Sequence, residues 1–207
     1  MSGDRIPEAP HDKDALRGFP HEIVMSGAHV WRVHDAGRGP WFFGQTQRFS
    51  LNGAHGTCHV ALEPSTAVLE TIVRGATTID AVELISRRIR RLQVAREYRL
   101  ANLTAQSASG WGVTREFGTD YPYDRCQAWA SAFHFDGFAG LKFWANHDVT
   151  PNGISLGLFG GRGERKGWKR GTAERLDNAY WTDIITNEMG VSVLGMPHSS
   201  VLDIRKP

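Results

Sequence analysis

The chain has 207 residues, which is enough for one domain with a substantial core and only marginally enough for two. Its hydrophobic fraction of 41% and charged fraction of 22% are typical of a globular protein, which excludes the disordered and fibrous classes. Because the 24 Lys and Arg residues nearly balance the 22 Asp and Glu residues, no bulk electrostatic attraction to nucleic acid or to a membrane is expected.

The N-terminal segment and the two cysteines indicate a simple organisation. Residues 1–20 mix Pro, Asp, Lys and His without a period, which predicts a flexible arm before a single domain over residues 21–207. Residues 1–13 carry no apolar signal-like stretch, and no later stretch has the roughly 20 apolar residues that a membrane span needs. Cys58 and Cys126 have no second ligand at metal spacing. We therefore expect a cytoplasmic protein with reduced thiols, no metal site and no membrane contact.

The first predicted elements are a strand, a second strand and a helix. Residues 28–33 alternate as a strand in which Val30 and Arg32 share one face. Residues 59–62 predict a short strand that ends before Pro64, and Ser65 is the predicted cap of a helix over residues 66–74. The apolar positions of this helix place Glu70 beside its buried stripe.

A second helix is predicted after Asp80, which has the spacing of a capping box with Glu83. The apolar residues Val82, Ile85, Ile89 and Leu92 recur at helical intervals after it. This pattern assigns Arg87, Arg88, Arg90 and Arg91 to a solvated helix face.

The second half of the chain predicts further strands around one long helix. Strands are expected over residues 98–103, 140–144 and 154–159, with a turn over 150–153 between the last two. A helix is expected over residues 123–135, with its inward side formed by Cys126, Ala130 and Phe133. Because regular strand–helix alternation is missing, the pattern favours an α+β fold over a doubly wound parallel sheet.

The order of several motifs resembles the RES domain over about residues 28–160. The motifs are Trp31-Arg32-Val33, Arg48-Phe49, the strand–helix junction at 56–70, the helix at 123–135 and the Gly-rich strand at 137–144. This resemblance implies an ADP-ribosyltransferase-like fold with a mixed or antiparallel sheet core and flanking helices. It also implies that NAD⁺ is a substrate, cleaved by hydrolysis or phosphorolysis. The described members are toxins held in check by a helix-turn-helix antitoxin.

The same resemblance implies a set of site residues. The two arginines and the glutamate of the family fall on Arg32, Arg48 and Glu70, which are the predicted catalytic residues. The family's tyrosine, serine and asparagine positions differ here, and they carry His59, Ala145 and Ser155. The predicted ligand-binding residues are Arg32, Arg48, Phe49, His59, Asn146 and Ser155.

Chemical reasoning from the residues is compatible with this assignment. Cleavage of the nicotinamide–ribose bond builds positive charge on the ribose, which a nearby carboxylate such as Glu70 would stabilise. Arg32 lies in an apolar strand, so its guanidinium needs an anion or a set of acceptors, and a diphosphate would suit its planar donors. Phe49 offers a stacking surface and His59 a group that could act as acid or base. Structural alternatives remain open, including an ion pair between Arg48 and Glu70.

Two other functions remain possible from the sequence. The same scaffold could transfer ADP-ribose to a protein or a small molecule, which requires the same Arg and Glu side chains. Alternatively, the Gly- and Arg-rich segment 160–171 with its central Trp168 could bind single-stranded nucleic acid through phosphate contacts and stacking. We expect this segment to be a mobile basic loop instead, so nucleic acid is not a predicted partner.

Overall fold

The described part of the chain folds into twelve strands and four α-helices. A computed structural model of the chain describes residues 7–12, 14–118 and 121–195. The strands are β1 (His21–Val24), β2 (His29–Asp35), β3 (Phe42–Phe43), β4 (His55–Ala61), β5 (Thr78–Asp80), β6 (Arg87–Gln93), β7 (Tyr98–Asn102), β8 (Gly140–Trp144), β9 (Ile154–Gly161), β10 (Gly163–Glu164), β11 (Glu174–Arg175) and β12 (Ser192–Leu194). The helices are α1 (Pro64–Val68), α2 (Ala81–Ser86), α3 (Asp124–Phe135) and α4 (Ala179–Asp183).

Short helical turns extend this set. Helices α1 and α4 continue as π-helical turns over Leu69–Val73 and Ile184–Glu188. Two 3₁₀ turns, Gln106–Trp111 and Arg115–Gly118, lie between β7 and α3.

One eight-stranded mixed sheet organises the molecule, in the order β1-β7-β8-β9-β4-β2-β6-β11. The β7–β8 pair is parallel and the other neighbouring pairs are antiparallel. The hairpin of β8 and β9, in which Trp144 pairs with Ile154, forms around the predicted turn. The predicted α+β class, with a mixed sheet core and flanking helices, is confirmed.

Three apolar clusters cover the two faces of the sheet. Helix α3 packs on the β8 side of one face, where Cys126, Ala130 and Phe133 are buried as predicted. Helix α1 packs farther along the same face, where Val68 joins Val33 and Ala61 in the second cluster. The third cluster lies on the opposite face.

The segment predicted to be a flexible arm packs onto this core. Ala9, Leu16 and Phe19 are buried in the first cluster, with Phe19 against Trp111 and Phe133. The Trp129 indole N–H donates to the carbonyl oxygen of Pro7 at 2.9 Å. The described part of this arm is therefore an integral layer of the core rather than an appendage.

The helix predicted after Asp80 is wrong in its second half. Asp80 does cap a helix, accepting from the Val82 N–H, but α2 ends at Ser86 and residues 87–93 form strand β6. Ile89 and Leu92 are buried on opposite faces of the sheet, in the second and third clusters. Because β6 is covered on both faces, two buried residues three positions apart imitate a helical interval.

The start of α1 also differs from the prediction. The helix begins at Pro64 with Glu63 at the cap position, rather than after a Ser65 cap. Proline lacks an N–H and has a fixed φ, so it fits the first helical position, where no hydrogen bond is lost.

The basic segment 160–171 is tied to the sheet rather than mobile as predicted. Trp168 packs edge-on against Trp41 and Phe43, with ring centroids 5.2 and 5.7 Å apart. The Trp41 indole N–H donates to the Lys169 carbonyl oxygen, and the Gly171 N–H donates to the carbonyl oxygen of Arg91. The aromatic ring that would have stacked on bases is thus used to hold the loop.

The described residues contain neither a membrane-spanning helix nor a candidate group of metal ligands. No helix there combines the length and apolarity required to cross a bilayer. Within residues 7–12, 14–118 and 121–195, no three His, Cys, Asp or Glu side chains come together as a candidate metal-ligand group.

The end of α2 generates a test of the strand at 87–93. Ile89 is fully buried, whereas Val82 on α2 is 67% exposed. We expect Ile89→Ala to lower the free energy of unfolding by about 2–5 kcal/mol because it leaves a cavity. Val82→Ala is the matched control and should change it by less than about 0.5 kcal/mol. Chemical denaturation measures both, and similar losses in the two variants would support one continuous helix instead.

Candidate active site

A cleft of about 380 Å³ opens where two central strands diverge. Strands β2 and β4 share the single pair Trp31↔Ala61, after which β2 continues along β6 and β4 along β9. Five of the seven predicted site residues line this cleft, namely Arg32, Arg48, His59, Glu70 and Ser155. The lining also includes residues that were not predicted, among them Arg74, Tyr123, Phe143 and His147.

The Glu70 carboxylate is held at both oxygens. Arg48 donates from Nη2 to Oε2 at 2.5 Å, and the backbone N–H of His147 donates to Oε1 at 2.6 Å. The Arg48 and Glu70 side chains are each 13% exposed, so this ion pair lies inside the cleft wall. Glu70 itself belongs to the π-helical turn after α1, a type of turn that occurs frequently at functional sites. The carboxylate is therefore fixed in position next to the open space.

The loop that supplies the His147 N–H is anchored by a buried carboxylate. Asp148 is 4% exposed and accepts a hydrogen bond from Thr66 Oγ1 on α1 at 2.5 Å. Its other oxygen accepts from the N–H and the hydroxyl of Thr150, at 3.0 and 2.7 Å. Asp148 thus ties the β8–β9 loop to α1, and this connection sets the position of His147 relative to Glu70.

Arg32 reaches the cleft from the opposite face of the sheet. Strand alternation places Arg32 on the same side of the sheet as Val30, as predicted, whereas Glu70 lies on the side of α1. Both side chains line the cleft because strands β2 and β4 diverge there. Arg32 Nη1 donates to the carbonyl oxygens of Pro40 and Phe42 at 2.6 and 3.0 Å, and lies 2.6 Å from Cys58 Sγ. A guanidinium in an apolar strand needs hydrogen-bond acceptors, and the 40–42 segment supplies two of them.

His59 projects from β4 into the same cleft. Its partner across the ladder is Gly157, where an added Cβ would lie at ordinary contact distance from His59 Nε2, 3.7 Å. Both ring nitrogens are buried and have no hydrogen-bond partner within the described part of the chain. Burial, with smaller contributions from the Arg48 and Arg32 charges, lowers the pKa of His59 from 6.5 to about 3. The ring is therefore neutral at physiological pH, with one donor and one acceptor available.

Of the three remaining predicted site residues, Ser155 lines the cleft and Phe49 and Asn146 do not. Ser155 is buried, pairs with Ala61 and shares a face with His59. Phe49 does not line the cleft, because its side chain is fully buried behind Phe143 at a centroid distance of 4.8 Å. Asn146 is also absent from the lining.

Phe143 lines the cleft where Phe49 was predicted to, together with the aromatic residues Trp31 and Tyr123. Its ring lies 5.5 Å from the Arg48 guanidinium carbon and 6.0 Å from the His59 ring. The alternation of β8 could have identified it, since a side chain that faces α1 and the cleft must lie on the same side as Leu141. His147 contributes through its backbone N–H, which no side-chain pattern in the sequence reveals.

Comparison with known proteins places the chain in context. Residues 29–175 match the RES domain family. A chain from the crystal structure of the M. tuberculosis MbcT–MbcA toxin–antitoxin complex has the same fold, with a TM-score of 0.59 and 17% identity over 78% of this chain and 90% of that chain. Curated protein sequences give no significant match.

The contacts of Arg32 generate a stability prediction. Arg32→Ala leaves the carbonyl oxygens of Pro40 and Phe42 without their charged donor, so we expect the free energy of unfolding to fall by about 1–3 kcal/mol. Arg91→Ala is the control, because Arg91 is exposed on the neighbouring strand, and its effect should stay below about 0.5 kcal/mol. Equal stability of the Arg32→Ala and wild-type proteins in denaturant would show that these contacts do not anchor the segment.

The buried His59 ring generates a pH prediction. The folded-state pKa is about 3 and the unfolded chain regains 6.5, so between these values the unfolded state binds the extra proton. The free energy of unfolding should therefore decrease as pH falls from 6.5, with a contribution from His59 of up to about 1.4 kcal/mol per pH unit. His59→Gln removes this contribution. Denaturant titrations of both proteins between pH 7 and pH 4 measure the difference, and parallel pH profiles would contradict the assignment.

Proposed function

The chain belongs to the RES domain family, and from this we propose that it cleaves the nicotinamide–ribose bond of NAD⁺. The observation that carries the proposal is the Glu70 carboxylate, fixed at both oxygens on the wall of the cleft. Loss of nicotinamide leaves an oxocarbenium-like ribose, and a preorganised carboxylate stabilises that charge without further reorganisation.

The charge of the cleft supports an anionic ligand. Arg32, Arg48 and Arg74 line it together with a single acidic side chain, Glu70. This surplus of positive charge suits the diphosphate of a dinucleotide, since guanidinium groups bind phosphate oxygens with paired donors.

The uncharged lining supports the other parts of the ligand. The Phe143 ring offers a stacking face for nicotinamide or adenine. The neutral His59 ring offers a donor and an acceptor where a ribose hydroxyl or a carboxamide would satisfy both buried nitrogens. Ser155 adds a hydroxyl on the same face of the sheet.

The attacking group is the part of the reaction that these residues leave undetermined. Water gives hydrolysis, inorganic phosphate gives phosphorolysis, and a hydroxyl or amine of another molecule gives ADP-ribosyl transfer. All three use the same Glu70 and arginines, so the proposal covers the bond that breaks. The nucleic-acid alternative is not supported, because Trp168 is packed against Trp41 and Phe43.

The biological role that we propose is that of a toxin with a protein antitoxin as partner. The similar fold comes from a chain of a toxin–antitoxin complex. We propose a helix-turn-helix protein as the antitoxin partner of this chain. NAD⁺ depletion would act in the cytoplasm, where the cofactor is held. A partner that blocks the cleft would keep the enzyme inactive until it is removed.

Product analysis tests the proposed reaction. Purified protein, free of any bound partner, is incubated with NAD⁺ with and without inorganic phosphate, and the products are identified by mass spectrometry. ADP-ribose indicates hydrolysis, and ADP-ribose carrying an added phosphate indicates phosphorolysis. A protein that neither binds nor consumes NAD⁺ would rule the function out.

Substitution of Glu70 separates catalysis from binding. If its carboxylate acts on charge that develops as the bond breaks, Glu70→Gln should lower kcat by roughly a hundredfold or more and leave NAD⁺ affinity nearly unchanged. Steady-state kinetics and NAD⁺ binding to the variant measure the two effects separately.

The matched control is Glu97→Gln, which makes the same change on an exposed residue outside the cleft and should keep wild-type kinetics. Because Gln also weakens the Arg48 pair, the melting temperature must show that the Glu70→Gln variant is folded. A large loss of affinity with little loss of kcat would assign Glu70 to ground-state binding.

A further inference from the structure

The three arginine side chains of the cleft differ in the hydrogen bonds and ion pairs that they make within the described protein. Arg48 is paired with Glu70, and Arg32 directs Nη1 to two carbonyl oxygens and to Cys58 Sγ. The Arg74 side chain is exposed and makes neither a hydrogen bond nor an ion pair with any residue in the described ranges 7–12, 14–118 and 121–195. Its guanidinium is therefore the one, within the described part of the cleft, that an incoming anion meets without displacing a partner.

The position of Arg74 ties it to Glu70. Arg74 ends the π-helical turn that carries Glu70, four residues further along the chain. Glu70 is 13% exposed and lies in the wall, whereas Arg74 is exposed at the mouth. The next residue, Gly75, lies close to His147 of the cleft lining, since a Cβ there would be 3.6 Å from His147 Nδ1. Arg74 thus stands at the edge of the cleft, just outside the carboxylate.

The backbone of Arg74 is in a conformation that favours glycine. Its φ of 49° and ψ of 34° are left-handed, and Gly75 has a φ of 78°. A non-glycine residue in this region costs stability at a helix end where glycine is preferred. Within the described residues, no hydrogen bond or ion pair of the arginine side chain offsets that cost.

We propose that Arg74 is a ligand-binding residue that holds the phosphate groups of the substrate at the mouth of the cleft. This inference rests on the proposed function and adds an orientation to it: the phosphates lie outward at Arg74, and the ribose that reacts lies inward at Glu70. Phe143 and His59, deeper in the cleft, then meet the nicotinamide end of the ligand.

The test uses Arg74→Gly, which removes the guanidinium and also places glycine at a left-handed backbone position that favours it. We expect the melting temperature to stay equal or rise, while affinity for inorganic diphosphate and for ADP-ribose falls about tenfold. In turnover of NAD⁺, KM should rise by a similar factor and kcat should change less than about twofold, because a phosphate contact acts equally in the ground state and the transition state. Calorimetric titration measures the affinities for inorganic diphosphate and for ADP-ribose.

Two further variants make the result specific. Arg74→Lys keeps the charge but loses the paired donors, so it should recover part of the affinity. Arg17→Ala removes an exposed arginine that is not part of the cleft lining and should leave binding unchanged. Nicotinamide riboside, which has no phosphate, should bind the wild-type protein and Arg74→Gly alike.

The outcomes separate this inference from the proposed function. If diphosphate binds the wild-type protein and Arg74→Gly equally, or if neither diphosphate nor ADP-ribose binds the wild-type protein, the role of Arg74 is refuted. A nicotinamide riboside affinity that falls as much as that of NAD⁺ also refutes it. If diphosphate binding depends on Arg74 but NAD⁺ is not consumed, the phosphate site stands and the NAD⁺-cleaving function falls.

Discussion

The rest of the cleft depends on the pairing of Glu70 with Arg48 and the His147 N–H. The carboxylate is only 13% exposed, and these two donors replace the hydrogen bonds to water that it loses in the cleft wall. The same donors fix the direction in which its two oxygens point. Without either donor, one oxygen would lack its fixed partner and the orientation of the group would no longer be set.

The fold brings the two donors and the carboxylate together from three distant parts of the chain. Arg48 comes from the segment before β4, Glu70 from the turn after α1, and His147 from the β8–β9 loop. Asp148 holds this loop to Thr66 on α1 through a hydrogen bond between their side chains. The divergence of β2 from β4 then opens the space that the carboxylate faces. The site is thus a product of sheet topology and of one buried carboxylate, Asp148, which lies outside the cleft lining.

The sequence predicted those parts of the fold in which local pattern and tertiary burial agree. Helix α3 and the β8–β9 hairpin form as predicted, because α3 carries its own apolar stripe and the hairpin its own turn. The pattern failed at β6, where burial on both faces produced a helix-like interval, and at Phe49, whose ring packs behind Phe143. A backbone donor such as the His147 N–H and an unengaged side chain such as that of Arg74 depend on the folded chain, and no residue spacing reveals them.

In the proposed reaction, the arginines of the cleft bind the substrate, and Glu70 acts on the bond that breaks. Contacts between arginines and phosphate groups stabilise the bound ligand before and during bond cleavage, so they set affinity. In the ground state of NAD⁺ the positive charge lies mainly on the nicotinamide ring. As the bond breaks, the charge passes to the ribose and neutral nicotinamide leaves, so the interaction of the ribose with the Glu70 carboxylate grows in the transition state. A histidine that stays neutral between two arginines adds hydrogen bonds without adding to the positive charge. Since a further cation close to the ribose would oppose the developing charge, the low pKa of His59 is compatible with catalysis in a way that a protonated ring would not be.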